Sequence, residues 1–200
     1  MAFDTPSFRG RRSGALPSGA ESSVFSEAIL IEDETVAGIV LHLVFPAGEA
    51  SNPFDEGLAH YVEDLAWLGV FGKKDDDDDH HSNAQVNGFT TLYRLDTNRD
   101  DLPDSLRKLI SVSAPLSVES DFALQERNIL LREYDLRVRE RPLYPVYREM
   151  DRSLFGTGML ARSVIGEPSM IARYSLEDAR SLHRRSHLLS SATRCWLMAM

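Results

Sequence analysis

A run of Val, Ile and Leu over residues 36–45 constrains the fold of this chain more than any other feature. Its composition predicts a strand that is buried on both faces, and Pro46 and Gly48 stop it. A similar run over 24–31 precedes it, with turn-like acidic residues at 32–34 between the two. Together the two runs predict a β-hairpin.

Helical patterns follow the hairpin. Asn52 as a capping residue, Pro53 at the first helical position and the acids Asp55 and Glu56 predict a helix over 53–68. Further helices are predicted over 102–112, 121–138 and 150–155 and from Ser175 onward, and further strands over 83–95 and 193–200. Strands and helices do not alternate regularly. The sequence therefore predicts an α+β fold, with a mostly antiparallel sheet packed against helices.

Charge and cysteine content exclude several classes of protein. The formal net charge is −9 in 200 residues, and the five aspartates of 75–79 supply more than half of it. Binding to nucleic-acid phosphates needs clustered Lys and Arg, so no nucleic-acid partner is expected. Cys195 is the only cysteine, which excludes an intramolecular disulfide and a Cys-based zinc site. No apolar run approaches the roughly 20 residues that cross a bilayer.

The N-terminal 20 residues combine several Arg with Gly, Ser and Pro, and they lack the apolar core of a secretory signal. We expect a flexible arm over 1–20, with a transit peptide as the alternative. One α+β domain is expected over 21–200, with a solvated acidic loop over 73–82. The expected location is cytoplasmic.

The predicted helix over 53–68 carries candidate metal ligands and a candidate general base. At 100° per residue, His60, Glu63, Asp64 and Trp67 fall within one arc, opposite the apolar Leu58 side. An imidazole at His60 and a carboxylate at Asp64 can converge on one metal ion, and Glu63 can act beside them as general base. Such triplets also occur as solvated charge on surface helices.

A second helix offers another carboxylate. Glu126 and Glu133 are seven residues apart, or two turns, and so project from one side, while Leu124, Leu131 and Val138 form a separate apolar stripe. A carboxylate facing His60 would complete a three-ligand site with one open position, as catalytic zinc requires. The alternative is that these acids form surface ion pairs with Arg127 and Arg137.

The order of these motifs resembles a known family. The stretch G-L-A-H-Y-V-E-D-L over 57–65 resembles the G-x-A-H-F-x-E-H signature of pitrilysin/insulinase-type (inverzincin, mitochondrial-processing-peptidase-like) zinc metallopeptidases. Asn83 and Ala84, then Thr91 and Tyr93, resemble the family's N-A-x-T-x-x-x-x-T-x-Y strand. The segment 126–133 resembles the family segment that supplies the distal zinc ligand. Residues 165–166 resemble the family's I-G feature, and residues 175–178 resemble its S-x-E-D feature. The resemblance covers about 24–200.

The resemblance implies the family's N-terminal domain, a single incomplete unit of the LuxS/processing-peptidase-like metallohydrolase fold. It implies zinc as cofactor, a peptide or protein substrate, and a homologous second domain or subunit. The site residues that it implies are the zinc ligands His60, Asp64 and Glu133, the catalytic base Glu63, the supporting acid Glu126, and the substrate-binding Asn83 and Ala84.

Departures from the family pattern leave two hypotheses open. Asp64 stands where the family has its second zinc-binding histidine. The sequence also holds no second copy of the motifs, and this absence fits a truncated or split gene product as well. One hypothesis is a zinc metallopeptidase domain that hydrolyses peptide bonds through a metal-activated water. The alternative is a non-catalytic homologue that serves as partner subunit of an active metallopeptidase.

Four other histidines and Trp67 also receive predictions. His80 and His81, beside the aspartate run, are expected in a solvated loop, with metal binding as the alternative. His183 and His187 are expected at the surface of the late helix. Trp67 is expected either to wall a substrate pocket or to pack against the sheet.

Overall fold

Six strands and six α-helices build the part of the chain that the computed structural model describes, residues 11–14, 27–32, 38–72, 82–189 and 194–199. The strands are β1 Arg11–Gly14, β2 Glu27–Glu32, β3 Ile39–Phe45, β4 Ser82–Val86, β5 Thr91–Thr97 and β6 Arg194–Ala199. The helices are α1 Leu58–Phe71, α2 Leu102–Ile110, α3 Ser120–Glu140, α4 Tyr144–Phe155, α5 Pro168–Ile171 and α6 Leu176–Ser186. Short 3-10 helices lie at Glu49–Ser51, Ser111–Ser113 and Met159–Ala161.

The strands form one sheet in the order β1-β2-β6-β3-β5-β4. Only β2 and β6 pair in parallel, and the other four pairings among the described strands are antiparallel. This arrangement confirms the predicted α+β class with a mostly antiparallel sheet. No helix in the described ranges is long and apolar enough to cross a membrane.

The predicted hairpin of the first two apolar runs is wrong. Strand β6 lies between β2 and β3 and pairs with both of them. Neighbouring strands are about 4.8 Å apart, so β2 and β3 lie roughly 10 Å from each other. The six residues between them can span about 20 Å, which leaves room for the inserted strand.

Strand β3 shows that the core lies on one face of the sheet. Leu41, Leu43 and Phe45 are fully buried, whereas the alternate residues His42 and Val44 are only half-buried. Val40, on the same face as His42 and Val44, is buried, so the prediction of burial on both faces holds at Val40 and fails at His42 and Val44. The fully buried face belongs to the same core cluster as the apolar residues of α1 and α6.

Helix α1 begins five residues later than predicted. The side-chain oxygen of Asn52 accepts a hydrogen bond from the Phe54 amide at 2.9 Å, and its amide donates to the Asp55 carbonyl at 2.8 Å. Asn52 thus closes a turn that precedes the helix. The helix starts only after Gly57, whose φ of 90° reverses the chain once more.

The segment 83–95, predicted as one strand, is the β4–β5 hairpin. Asn87 donates its amide to the Thr90 carbonyl at 2.9 Å, and its side-chain oxygen accepts from the amides of Phe89 and Thr90. The Asn87-Gly88 pair is a common hairpin signal that the sequence interpretation missed. Strand β4 pairs with β5 alone among the described strands and is therefore one edge of the described sheet.

Helices α2, α3 and α6 and strand β6 agree with their predictions, whereas the four-residue helix α5 had no prediction. Helix α4 begins at Tyr144 instead of residue 150, and Arg11–Gly14, inside the predicted arm, pairs with β2 as strand β1. The flexible-arm prediction is therefore wrong for those four residues. The rest of 1–20, and the loop over 73–82 except Ser82, lie outside the described residues.

Candidate metal centre

Helix α1 carries its polar residues into the interior of the protein. His60 is 9% exposed and Glu63 is 4% exposed, and the apolar residues on the opposite side of the helix are buried as well. Charged groups are rarely buried without a partner, because removing them from water costs free energy. A solvated surface helix, one of the two sequence interpretations, does not describe α1.

Three carboxylates surround the His60 imidazole. Its Nε2 atom lies 3.9 Å from an oxygen of Glu63, 3.9 Å from one of Asp64 and 3.8 Å from one of Glu133. These separations are too long for hydrogen bonds. They approach the roughly 3.4 Å between two ligands that each lie about 2.1 Å from a tetrahedral zinc.

Helix α3 delivers Glu133 because it packs on α1 through small and apolar residues. Ala123 and Leu130 are buried on the side that also carries Glu126 and Glu133. The Tyr61 hydroxyl of α1 donates to the Ala123 carbonyl at 2.7 Å and joins the two helices.

The predicted apolar stripe of α3 is wrong. Leu124 is 47% exposed, and Leu131 and Val138 are only partly buried. Two acids of the helix, Glu126 and Glu133, are instead half-buried. Glu133 pairs with Arg137, as the ion-pair alternative anticipated, whereas Arg127 donates to the Tyr174 carbonyl at 3.0 Å.

The two acids of α1 in the site have raised pKa values. Burial, and then the charges of Glu133 and Glu126, raises the pKa of Glu63 to about 8. Burial and the neighbouring Glu63 raise the pKa of Asp64 well above its ordinary value. Burial lowers the pKa of His60, although Glu133 opposes that shift. The cluster is therefore electrostatically unfavourable without a cation.

The residues fit a divalent metal. One ligand atom each from His60, Glu63 and Asp64 lies within 4.8 Å of the others, and Glu133 approaches from the second helix. One imidazole and several carboxylates form a donor set that zinc accepts. The Nδ1 atom of His60 is buried and lacks a hydrogen-bond partner among the described residues, so only Nε2 faces the acids.

A cavity of about 440 Å³ opens beside the cluster. Five of the seven site residues named from the sequence line it: Glu63, Asp64, Asn83, Ala84 and Glu126. The edge strand β4 forms one wall through Asn83 and Ala84. Trp67 lines the cavity and stacks on Tyr93 of β5 with ring centroids 6.4 Å apart, which confirms the alternative of packing against the sheet.

Sequence reasoning missed two features near the site. Phe122 and Ile129 of α3 add apolar surface to the cavity. Tyr93 is fully buried, and its hydroxyl lies 2.6 Å from Nε2 of His187.

The surface position predicted for His183 and His187 is wrong, since both are 2% exposed. They continue the buried side of α6 that Ala179 and Leu182 begin, and this i, i+4 continuation was the signal that could have located them.

Comparison with known proteins identifies the fold. No known protein family's sequence pattern matches the chain, and no curated protein matches its sequence. Among solved structures, a protease from Helicobacter pylori is 18% identical, with a TM-score of 0.76, over 97% of this chain and 47% of that chain. The inactive domain of a peptidase M16 from Pseudomonas fluorescens is 15% identical, with a TM-score of 0.70, over 94% and 46%.

Pitrilysin is similar as well, at 19% identity and a TM-score of 0.68, over 86% of this chain and 20% of that chain. The chain spans less than half the length of these three proteins. At such identities the likeness concerns the backbone arrangement. The chain therefore has the fold of the pitrilysin-type peptidases.

Proposed function

We propose that this chain is a zinc metallopeptidase domain that hydrolyses a peptide bond in an extended substrate, together with a homologous second domain or subunit. The observation that carries the proposal is the convergence of His60 with carboxylates from two helices beside a cavity and an edge strand. Such a cavity with convergent polar groups and shifted pKa values is typical of an active site.

In this proposal His60, Asp64 and Glu133 hold the zinc. A bound zinc supplies Lewis acidity, which acidifies water and polarises a carbonyl group. Glu63 accepts a proton at a carboxylate oxygen and passes it to the leaving amine. Glu126 contributes negative charge near Glu63 and Asp64 and thereby favours a bound cation.

The substrate would add a strand to the sheet. Strand β4 is one edge of the described sheet, and an extended peptide can pair with such an edge through backbone hydrogen bonds. Asn83 and Ala84 would then lie beside the peptide. The apolar wall of Trp67, Phe122 and Ile129 would receive one of its side chains.

A second candidate function is a non-catalytic partner subunit of an active peptidase. The pairing of Arg137 with Glu133 favours it, because the guanidinium occupies a carboxylate that zinc would need. Asp64 favours it as well, since aspartate replaces the expected histidine.

Zinc binding by the purified chain, measured by calorimetry and elemental analysis, tests the proposal. We expect wild type to bind one zinc, Glu133→Ala to bind more than roughly 100-fold more weakly, and Asp64→His to bind more tightly. Glu140→Ala, an exposed acid on the same helix, is the matched control and should leave the affinity unchanged.

The outcomes separate the two candidates. If wild type and all variants remain metal-free, the zinc proposal is wrong. If only Asp64→His binds, the non-catalytic function is favoured. If wild type binds zinc, we expect it to cleave quenched fluorescent peptides in the presence of a homologous domain. Under the same conditions the zinc-loaded Glu63→Gln chain should keep the metal and lose this cleavage.

The cytoplasmic location stays a prediction, which cell fractionation tests.

A further inference from the structure

Arg137 of α3 lies beside the candidate metal centre. It follows Glu133 by four residues, about one turn of the helix, and its guanidinium donates to one carboxylate oxygen of Glu133. The other oxygen of Glu133 lies 3.8 Å from Nε2 of His60. A single carboxylate therefore stands between an arginine and the imidazole that is a proposed zinc ligand.

The charge of Arg137 acts on all three candidate residues of α1. Burial is the largest cause of the shifted pKa values of His60, Glu63 and Asp64. Arg137 lowers the pKa of each of the three, whereas neighbouring acids raise it. A positive charge near buried acids favours their ionised forms. Arg137 thus offsets part of the repulsion among the acids of the cluster.

The guanidinium of Arg137 is less enclosed than the imidazole of His60. The Arg137 side chain is 43% exposed, whereas that of His60 is 11% exposed. A long arginine side chain at such a position can turn its charged end into water, which solvates it. Arg137 can therefore leave Glu133 while His60 stays in place.

We propose that Arg137 is an internal counter-cation of the site, which neutralises the acids when no metal is bound and competes with a divalent cation for Glu133. Both cations need the same carboxylate, and like charges repel each other at close range. Zinc therefore binds more weakly than it would to the same residues without Arg137. The pairing sets the zinc concentration at which the site fills. The competition rests on the function proposed above, whereas the neutralisation of the acids does not.

Zinc affinity, measured by calorimetry, tests the competition. Arg137→Gln removes the charge and should bind zinc about tenfold more tightly than wild type, a change of about 1.4 kcal/mol in the free energy of binding. Arg137→Lys keeps the charge and should bind zinc about as weakly as wild type. Arg132→Gln removes an exposed positive charge from the same helix, and this matched control should leave the affinity unchanged.

Thermal unfolding in the presence of a chelator tests the neutralisation. Without the charge of Arg137 the acids repel one another more strongly, so Arg137→Gln should melt at a lower temperature than Arg132→Gln. Added zinc should raise the melting temperature of Arg137→Gln by more than that of wild type, because the tighter complex is stabilised more. The circular dichroism spectra of the variants should coincide with that of wild type, which checks that each variant folds.

The outcomes separate this inference from the proposed function. If wild type binds zinc and Arg137→Gln binds it no more tightly, the competition is wrong while the zinc site stands. A loss of affinity of roughly 10- to 100-fold in Arg137→Gln would instead assign Arg137 to the orientation of Glu133 and also overturn the inference. If no chain binds zinc, the proposed function is wrong and the melting temperatures with chelator decide the inference. Equal values for Arg137→Gln and Arg132→Gln then overturn the counter-cation, and a lower value for Arg137→Gln supports it.

Discussion

At the scale of single residues, Asp64 has the clearest chemical consequence. It adds a carboxylate to a cluster that already holds Glu63 and Glu133 near one imidazole. Burial and the neighbouring acids raise the pKa of Asp64, and the repulsion between negative charges raises the free energy of the metal-free state. A divalent cation would relieve that repulsion, while the shift from nitrogen to oxygen ligands lowers the preference for zinc.

Two buried histidines, His183 in α6 and His187 at its C-cap, predict a dependence of stability on pH. Burial and the neighbouring His183 lower the pKa of His187 well below 6.5, and burial also lowers that of His183. The folded chain then binds fewer protons than the unfolded chain. The stabilising contribution is complete above pH 6.5 and is lost as the pH falls below it.

His187→Gln isolates this contribution, because glutamine keeps a hydrogen-bonding group for Tyr93 but does not titrate. At pH 7.5 we expect the variant to be about 1–2 kcal/mol less stable than wild type. Between pH 6.5 and 5.5 the difference should narrow by about 1 kcal/mol, measured by urea unfolding. A constant difference would contradict the assignment.

The difference between wild type and His187→Gln is the quantity to measure, because other groups also titrate near neutral pH. The raised pKa values of Glu63, about 8, and Glu49, about 7, make the folded state gain stability as the pH falls. They act equally in wild type and variant. Their effect cancels in the difference.

Helix periodicity explains why part of the site could be predicted. His60, Glu63 and Asp64 share an arc of one helix, so their proximity follows from spacing alone. The contact between Tyr93 and His187 could not be predicted in this way, because it depends on β5 and α6 meeting across 94 residues of sequence. The approach of Glu133 was expected from the family resemblance and from its two-turn spacing to Glu126.

At the scale of elements, the start of α1 depends on a close approach of two glycines. A Cβ atom at Gly57 would lie 2.5 Å from the Gly166 backbone and 2.5 Å from the Tyr174 hydroxyl. The Tyr174 hydroxyl donates to the Glu56 carbonyl at this same junction. The junction fixes where the helix begins and thereby orients His60 one turn later.

Gly57→Ala should therefore be costly. The left-handed φ of 90° costs about 1–2 kcal/mol for a residue with a side chain, and the clash adds about 1–3 kcal/mol. Gly156→Ala is the matched control, since its φ is also positive but its added Cβ meets nothing within 4 Å. Thermal unfolding should separate the two variants by at least about 1 kcal/mol, and equal losses would refute the packing argument.

The bounds of the helices and strands were easier to predict from the sequence than the order of the strands in the sheet. Local patterns identified α2, α3, α6 and β6 to within a few residues. The order of the strands was not predictable, because the hairpin interpretation of β2 and β3 used only their nearness in sequence. Capping patterns also misplaced the start of α1, since Asn52 satisfies a turn with the same hydrogen bonds that a helix cap would use.

At the scale of the whole molecule, β6 joins two parts of the sheet. It pairs with β2 on one side and β3 on the other, and no other described strand connects β1–β2 to β3–β5–β4. A chain shortened to residues 1–189 should lose the cooperative thermal transition that wild type shows by circular dichroism. A synthetic peptide of 190–200 added in trans should restore part of it, and a scrambled peptide should not. A cooperative transition in the shortened chain alone would contradict this role for β6.

The central position of β6 also dictates an order of events during biosynthesis. The ribosome releases β2 and β3 long before residues 194–199, so both strands of the nascent chain wait with an unpaired edge. Such edges are templates for association with other chains. Synthesis therefore includes an interval in which unpaired strand edges are exposed to other chains and chaperone binding protects them, and that interval ends when β6 emerges.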